Sequence, residues 1–259
     1  MKTFHTIAEL RDALQPRRGQ GRIGLAPTMG ALHEGHIALF EAARQECDTV
    51  VATVFVNPTQ FADPADLERY PRAEARDTEL AAAAGVDFLF APSAAELYPA
   101  AFATWVDPDG AASGLEGEHR PGHFRGVATI CVKLFNIVGP DIAYFGRKDA
   151  QQVAVVKQIV RDLDLPVEIR VVPTVRDPDG LALSSRNTLL SPEERESALA
   201  IPRALATGDP ARARAVLVAA GLEPDYVEVA DLDGPTLAIA AQVGSTRLID
   251  NVLLEGAAR

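Results

Sequence analysis

Two histidines three positions apart, His33 and His36, lie in the run Pro27-Thr28-Met29-Gly30-Ala31-Leu32-His33-Glu34-Gly35-His36. At that spacing both imidazoles can point to one side as a helix begins. Just before the run, Ile23-Gly24-Leu25-Ala26 is a short apolar segment suited to a buried parallel strand. Just after it, Ile37, Phe40 and Ala43 recur at helical spacing. The run therefore reads as a strand-to-helix crossover, with Gly30 and Gly35 removing side chains where a ligand or a neighbouring backbone comes close. A helix N-terminus offers unpaired N–H groups and the positive end of a dipole, which suit a phosphate. A histidine pair there could hold a polyphosphate and neutralise charge that develops as it is cleaved. Two other readings stand beside this one. A metal pair is the first, although no third ligand lies nearby and zinc takes roughly three or four protein ligands. A polar helix start with no chemistry is the second.

Three further stretches carry groups that could do chemistry. Asn57-Pro58-Thr59-Gln60-Phe61 follows the β-branched, almost continuously apolar run Thr49–Val56, so proline stops a buried strand and polar amides sit at its carboxyl edge. An ordinary Asn-Pro turn would look the same. Gly146-Arg147-Lys148-Asp149-Ala150-Gln151-Gln152 follows the strand-like Ile142–Phe145 and repeats the opening logic of strand, glycine, polar cluster and helix. Its lysine is either solvated or a triphosphate contact. Ser184-Ser185-Arg186-Asn187 sets two hydroxyls beside a guanidinium, which is a clasp for phosphate oxygens or simply a helix cap.

The elements that must position these groups follow from pattern. Thr6 with Glu9 forms a capping box, and strands are expected at Val86–Ala91 and Val167–Val175. An alanine-rich helix is expected around Glu79–Ala84. The apolar Ala128–Val138 reads as a helix stopped by Gly139-Pro140, and Val153, Val156, Val160 and Leu163 mark the apolar face of another. The charged, proline-punctuated stretch 62–76 reads as a long loop, either a lid or disordered, and Gly114–Gly126 as a glycine-rich loop. Beyond Asn187 the pattern changes: Ser191-Pro192-Glu193-Glu194 caps a helix, Pro210–Ala220 is a second helix, and Tyr226–Val229 and Arg247–Val252 alternate as half-buried strands. That makes a Rossmann-like parallel α/β domain over 1–174 and a smaller C-terminal α+β domain over 175–259, covering the nucleotide site.

Composition sets bounds on the partners. A net charge of −11 argues against sequence-independent binding to nucleic acid, which needs a basic face. No uncharged run is long enough to span a membrane, and Met1-Lys2-Thr3-Phe4 opens no signal peptide, so a cytoplasmic location is expected. Cys47 and Cys131 read as reduced core residues, with a disulfide left open.

The string PTMGALHEGH resembles the HxGH signature of nucleotidyltransferases related to class I aminoacyl-tRNA synthetases, and more specifically the pantothenate synthetase family. FVNPTQF, RPGHFRGV, FGRKDAQQ, DGLALSSRN and RLIDN resemble that family's strings in the same order, from near the N-terminus to near the C-terminus. The resemblance implies a homodimer that joins (R)-pantoate to β-alanine with ATP and Mg2+, in pantothenate biosynthesis. It implies a pantoyl adenylate intermediate and the release of AMP and diphosphate. By the same resemblance His33, His36, Lys148, Ser184, Ser185 and Arg186 are catalytic. Pro27, Thr28, Met29, Gly30, Ala31, Leu32, Glu34, Gly35, Gly146, Arg147, Asp149, Val175 and Leu183 join them in binding ATP. Gln60, Gln152 and Asn57 are expected at pantoate, and Gln60 also at β-alanine. Arg120, His123 and Arg125 would be positioning groups near the site or a dimer contact. A gate at Asp63–Arg72, matched at Asp66 and Tyr70-Pro71-Arg72, would exclude water. No metal ligands are assigned. Arg147 and Leu183 depart from the family's usual residues, and the segment between Ile201 and Pro224 looks shorter than usual.

Overall fold

The computed structural model describes residues 1–254. They divide into two compact units, one made of Met1–Gly146 with Val155–Val172, the other of Arg147–Ala154 with the chain from Pro173 onward. Thus the segment carrying Lys148, Asp149 and Gln152 groups with the second unit, although it directly follows a strand of the first.

In the first unit β1 (Lys2–Phe4), β2 (Ile23–Thr28), β3 (Thr49–Val54), β4 (Phe88–Phe90), β5 (Ile142–Gly146) and β6 (Glu168–Val172) form one sheet in the order β1-β4-β3-β2-β5-β6. All pairings are parallel. The central strands are continuous apolar text because both faces are covered. Leu39, Phe40 and Ala43 of the helix Glu34–Glu46 pack with Ala26, Val50, Ala52, Leu89 and Tyr144 in one buried cluster. Each large side chain buried there contributes about 1.5–3 kcal/mol. Chain order runs outward from β2 through β3 and β4 on one side and through β5 and β6 on the other, so the order reverses between β2 and β5. Ligands of open parallel sheets bind outside the carboxyl ends of strands at such a switch point.

The second unit contains the antiparallel meander of β7 (Glu223–Asp231), β8 (Pro235–Val243) and β9 (Thr246–Leu253). Leu237, Ile239, Ala241 and Val243 of β8 form its core with Ile201, Leu205 and Leu217 from the helices Ala200–Leu205 and Pro210–Ala219. Ser191 caps the helix Pro192–Ala198 as expected, and Glu194 completes a capping box there.

Several sequence expectations need correction. The stretch 62–76 is not one long loop: Asp63 caps a helix over Pro64–Arg69, and Arg72 donates to the Leu67, Glu68 and Tyr70 carbonyls at its end. The loop expected at Gly114–Gly126 contains a helix, Leu115–His119, and the helix expected from Ala128 starts at His123. Leu163 lies just past the helix Ala150–Asp162 and is 48% exposed, and the buried face of that helix is Val153, Val155, Val156 and Ile159. Glu9 takes the Thr6 hydroxyl rather than the Thr6 backbone N–H. The strands run only over Phe88–Phe90 and Glu168–Val172, shorter than the expected Val86–Ala91 and Val167–Val175. β1, β8 and the helices Ala94–Leu97 and Ala200–Leu205 are additions that the sequence pattern does not announce. β8 is the more instructive of the two strands, since a strand buried on both faces loses the alternation that marks its neighbours.

Cys47 and Cys131 are free and buried. Burial pushes the Cys131 thiol up to about 12 and raises Cys47 as well, despite the Tyr144 hydroxyl beside it. Both folded values lie above the unfolded one, so this contribution to stability is complete below the ordinary thiol range and is lost as pH rises from there through the raised folded values. Neither thiol should react with an alkylating reagent at pH 8 until denaturant is added, as mass spectrometry would read. Labelling of Cys131 in the folded protein would contradict its placement.

Candidate active site

The histidine run leaves β2 through a turn that most residues disfavour. Gly30 and Ala31 are both in the left-handed region, with φ of 82° and 51°. A Cβ on Gly30 would lie 2.8 Å from Asp77 Oδ2 and 2.9 Å from Val54 Cγ1, so glycine is required there. For Ala31 the strain is of order 1–3 kcal/mol. Asp77 offsets it. This carboxylate, 1% exposed on the helix Glu74–Ala83, accepts the Ala31 N–H through Oδ2 at 2.9 Å and the Leu32 N–H through Oδ1 at 2.8 Å. Such charge-assisted bonds are roughly twice as strong as neutral ones. Thr28 adds a third tie, donating to the Thr53 carbonyl at 2.5 Å and accepting the Gly30 N–H at 3.2 Å.

That turn delivers His33 to the N-cap of the helix Glu34–Glu46. His33 Nδ1 accepts the Gly35 N–H at 3.1 Å, and His36 Nδ1 accepts the His33 N–H at 3.3 Å. The ring centroids are 4.1 Å apart. Because each Nδ1 is an acceptor, the proton of each neutral ring is on Nε2. Two Nε2–H donors beside a helix N-terminus form an arrangement that suits phosphate oxygens. The Glu34 side chain is exposed at the first position of this helix.

The carboxyl end of β3 builds a second polar cluster. Asn57 and Gln60, 1% and 7% exposed, are joined by an Asn57 Nδ2 to Gln60 Oε1 bond of 3.0 Å. Asn57 Oδ1 accepts from Thr59 Oγ1 and from the Tyr98 hydroxyl, each at 2.9 Å. Gln60 Nε2 donates to Met29 Sδ at 3.0 Å, which brings the loops after β2 and β3 together. The glycine-rich motif supports this turn from behind. His123 Nδ1 bonds the Gln60 carbonyl at 2.9 Å, Arg120 donates to the same oxygen at 3.4 Å, and Asn57 Nδ2 also donates to the Gly126 carbonyl at 3.2 Å. Arg125 is not part of this cluster; its exposed guanidinium stacks over Trp105, 4.5 Å from the ring centre.

In the second unit Lys148 is half-buried, with its ammonium 3.6 Å from Asp149 Oδ1. For Arg147 the sequence leaves the backbone role intact and the side-chain role open, and the fold gives the side chain a structural task. Its buried guanidinium donates to the Leu232 carbonyl at 2.7 Å and to Thr236 Oγ1 at 2.6 Å, so only its backbone is available for a nucleotide. Burial pulls its pKa down, and Asp233 opposes that effect. Ser184 Oγ accepts the Arg186 N–H at 3.3 Å as the cap of a 3-10 turn over Ser185–Leu189. The Leu183 N–H meets the Val175 carbonyl at 3.0 Å, and Asn187 Nδ2 donates to the Ala182 carbonyl at 3.0 Å. Lys148 and Ser184 line one small cavity together with Asn187 and Asp250. Gln152 is half-buried on the helix Ala150–Asp162.

Asp77, Thr53 and Tyr98 tie these loops together without being conspicuous in the sequence. The one available signal is Asp77 on an alanine-rich helix, four residues before the fully buried Ala81 and therefore on the same face. A cavity of about 390 Å3 in the first unit is walled by Met29, Val54, Phe55, Leu67, Pro71 and Arg72, so the segment expected as a gate lies over an apolar space next to Met29. Among the described residues no three His, Cys, Asp or Glu side chains come together as a metal site. No helix of the described residues is long and apolar enough to cross a membrane.

A parallel sheet with a reversal beside β2, a histidine-capped helix at that point and polar loops on the following strands define a Rossmann-like α/β protein built to handle a nucleotide. Comparison with known proteins resolves it further. The profile of the pantoate-beta-alanine ligase family matches residues 2–253, and the chain belongs to that family. Pantothenate synthetase 1 of Bradyrhizobium diazoefficiens is 52% identical over 280 aligned positions, covering 98% of each chain. That alignment is longer than the 259 residues here, so the relative carries segments this chain lacks. The pantothenate synthetase of Moorella thermoacetica is 50% identical over 98% of this chain and 99% of that one. Among solved structures, pantothenate synthetase from Thermus thermophilus superposes with a TM-score of 0.92 at 46% identity, covering 99% of this chain and 100% of that one. The pantoate-beta-alanine ligase of Francisella tularensis, complexed with Beta-gamma ATP and Beta-alanine, gives 0.91 at 37% identity and covers 99% of each.

Gly126 tests the support of Gln60 without touching any polar group. A Cβ there would lie 2.5 Å from the Thr59 carbonyl oxygen and 2.7 Å from the Gln60 nitrogen, both backbone atoms that cannot swing away. Gly126→Ala should raise the KM for pantoate by about tenfold or more, while the KM for ATP moves little, since a displacement near 1 Å is costly at a positioned group. Equal KM values in mutant and wild type would show that the Gln60 turn is not held from this side.

Proposed function

We propose that this pantoate–β-alanine ligase works in two steps through a pantoyl adenylate. A carboxylate is a poor acyl donor, so one of its oxygens first bonds to the α-phosphorus of ATP. The bond from that phosphorus to the bridging oxygen breaks, and diphosphate leaves with the electron pair. The amine of β-alanine then attacks the acyl carbon, AMP departs, and the amine gives up a proton. Positioning and neutralisation of charge do most of the work in such a phosphoryl transfer.

The observation that carries this reading is the locked tautomer of His33 and His36, whose Nδ1 atoms are both held by backbone N–H groups. Each ring thus carries an Nε2–H donor suited to the charge that grows on departing diphosphate. Lys148, Ser184, Ser185 and Arg186 supply further charge and hydrogen bonds, and the backbone of Pro27–Leu32, Gly146, Arg147, Val175 and Leu183 shapes the nucleotide's seat. Gln60, Asn57 and Gln152 are neutral, so they can hold pantoate's hydroxyls without trapping its carboxylate in an ion pair; Gln60 also meets β-alanine. The segment Asp63–Arg72 acts as the gate that keeps water from the adenylate. The enzyme works as a cytoplasmic homodimer, and MgATP is its substrate. Magnesium would arrive with ATP and neutralise charge on its phosphates, and Asp149 beside Lys148 is the carboxylate that would meet it.

Exchange of labelled diphosphate into ATP tests this reading. It should occur with pantoate present and β-alanine absent, and His36→Ala should slow it by on the order of a hundredfold, as for loss of one transition-state donor. Absence of exchange from enzyme that still forms pantothenate would rule out the adenylate. Undiminished exchange in a folded His36→Ala protein would remove that residue from the mechanism.

A further inference from the structure

The string Arg247-Leu248-Ile249-Asp250-Asn251 has no part in the roles above, yet two of its polar residues are among the most buried in the second unit. Successive residues of a strand point to opposite faces, so one of the pair should be exposed if β9 covered only one layer. Instead Asp250 and Asn251 are 4% and 5% exposed. The β8–β9 register pairs Asp250 with Ile239 and Asn251 with Ala238. Ile239 belongs to the apolar face packed under the helices, so Asp250 enters that layer. There Arg176 grips it with two guanidinium nitrogens at 2.6 and 3.0 Å and also donates to the Gly180 carbonyl at 3.1 Å. Asn251 occupies the other face, shared by Ala238 and Thr236. Its Nδ2 donates to the Arg147 carbonyl at 3.1 Å and the Lys148 carbonyl at 2.8 Å, while its Oδ1 has no hydrogen-bond partner. Arg147 grips the same face through Thr236 Oγ1. Burying a polar group is costly unless it is hydrogen-bonded, and here each of the two is tied to a loop that carries chemistry. For Asn251 the bonds to that loop are all made by its donor.

We propose that Asp250 and Asn251 are positioning residues that fix the two phosphate loops of this unit from opposite faces of β9. Asn251 sets the main-chain path at Arg147 and Lys148, and with it the origin from which the flexible lysine side chain must reach. Asp250, through Arg176, holds the turn that leads from Asp177 into Ser184, Ser185 and Arg186. Neither residue touches substrate. The inference rests on the reading of Lys148 as a triphosphate contact.

The test uses the full chain and diphosphate exchange, with rates referred to the folded fraction measured by circular dichroism. Asn251→Ala and the isosteric Asn251→Asp should both slow exchange by about 10- to 100-fold and leave the KM for pantoate within about twofold, because the displaced group acts on ATP. Aspartate keeps the shape but loses the donor, so a residue needed only to fill space would be rescued by it. In a Lys148→Ala background, Asn251→Ala should add little, since the group it positions has gone. Should Asn251→Ala fail to fold, Asp250→Asn combined with Arg186→Ala gives the equivalent cycle on the other loop. Rescue by aspartate, or effects of Lys148→Ala and Asn251→Ala that multiply independently, would overturn the inference and leave the role of Lys148 standing. Unchanged exchange in Lys148→Ala alone would instead overturn the reading on which it rests.

Discussion

One buried carboxylate underlies the histidine run. Asp77 holds the Ala31 and Leu32 N–H groups with its two oxygens, which keeps a left-handed alanine next to a left-handed glycine and starts the following helix at His33. The imidazole geometry is downstream of that contact, because His33 caps the helix only if the chain arrives at the right angle. The same device recurs. His123 and Arg120 hold the Gln60 carbonyl, and Asn251 holds the Arg147 and Lys148 carbonyls. In each case a polar side chain from another element grips the backbone of a loop whose own side chains are candidates for the chemistry. Such preorganisation matters where catalysis relies on placed dipoles, since they need not reorganise as charge develops.

Electrostatics in this molecule are local. A chain with net charge −11 gains nothing from long-range attraction of an anionic nucleotide. Candidate positive groups are local instead: the histidine-capped helix N-terminus in the first unit, and Lys148 and Arg186 in the second. Many other arginines are paired with carboxylates, as Arg195 is with Asp177 and Asp179, and Arg170 with Glu46 and Glu168. Those pairs are partly exposed and contribute about 0–1 kcal/mol each, so they shape the surface more than the stability.

The residues that would do chemistry are more legible in the sequence than the residues that hold them. The strands of the parallel sheet stand out because burial on both faces leaves an unbroken apolar signature, and the loops after them because glycine, proline and histidine are conspicuous there. Asp77 does not stand out, since one acidic residue on an alanine-rich helix looks solvated until the partner loop is placed against it. β8 is lost for a related reason: Ala238, Ala240 and Ala241 are too small to advertise a strand, and their burial depends on what covers them. The side-chain role of Arg147 stays open in the sequence because it answers to a hairpin roughly ninety residues later, a long-range contact that no local pattern encodes. The 62–76 stretch looks like a loop on polarity alone, whereas its Asp63-Pro64 start is a helix cap with proline in the first turn.

If Asp77 builds the histidine turn, that turn is rigid before any substrate binds. Native-state hydrogen exchange of the Ala31 and Leu32 amides, followed by NMR in the ligand-free protein, measures this directly. Both amides should exchange as slowly as the β3 strand amides, and Asp77→Asn, which keeps the shape but only one acceptor oxygen, should speed these two and leave β3 unchanged. Exchange of Ala31 and Leu32 in the wild type at the rate of an open loop would show that the turn is formed by the ligand, not by Asp77.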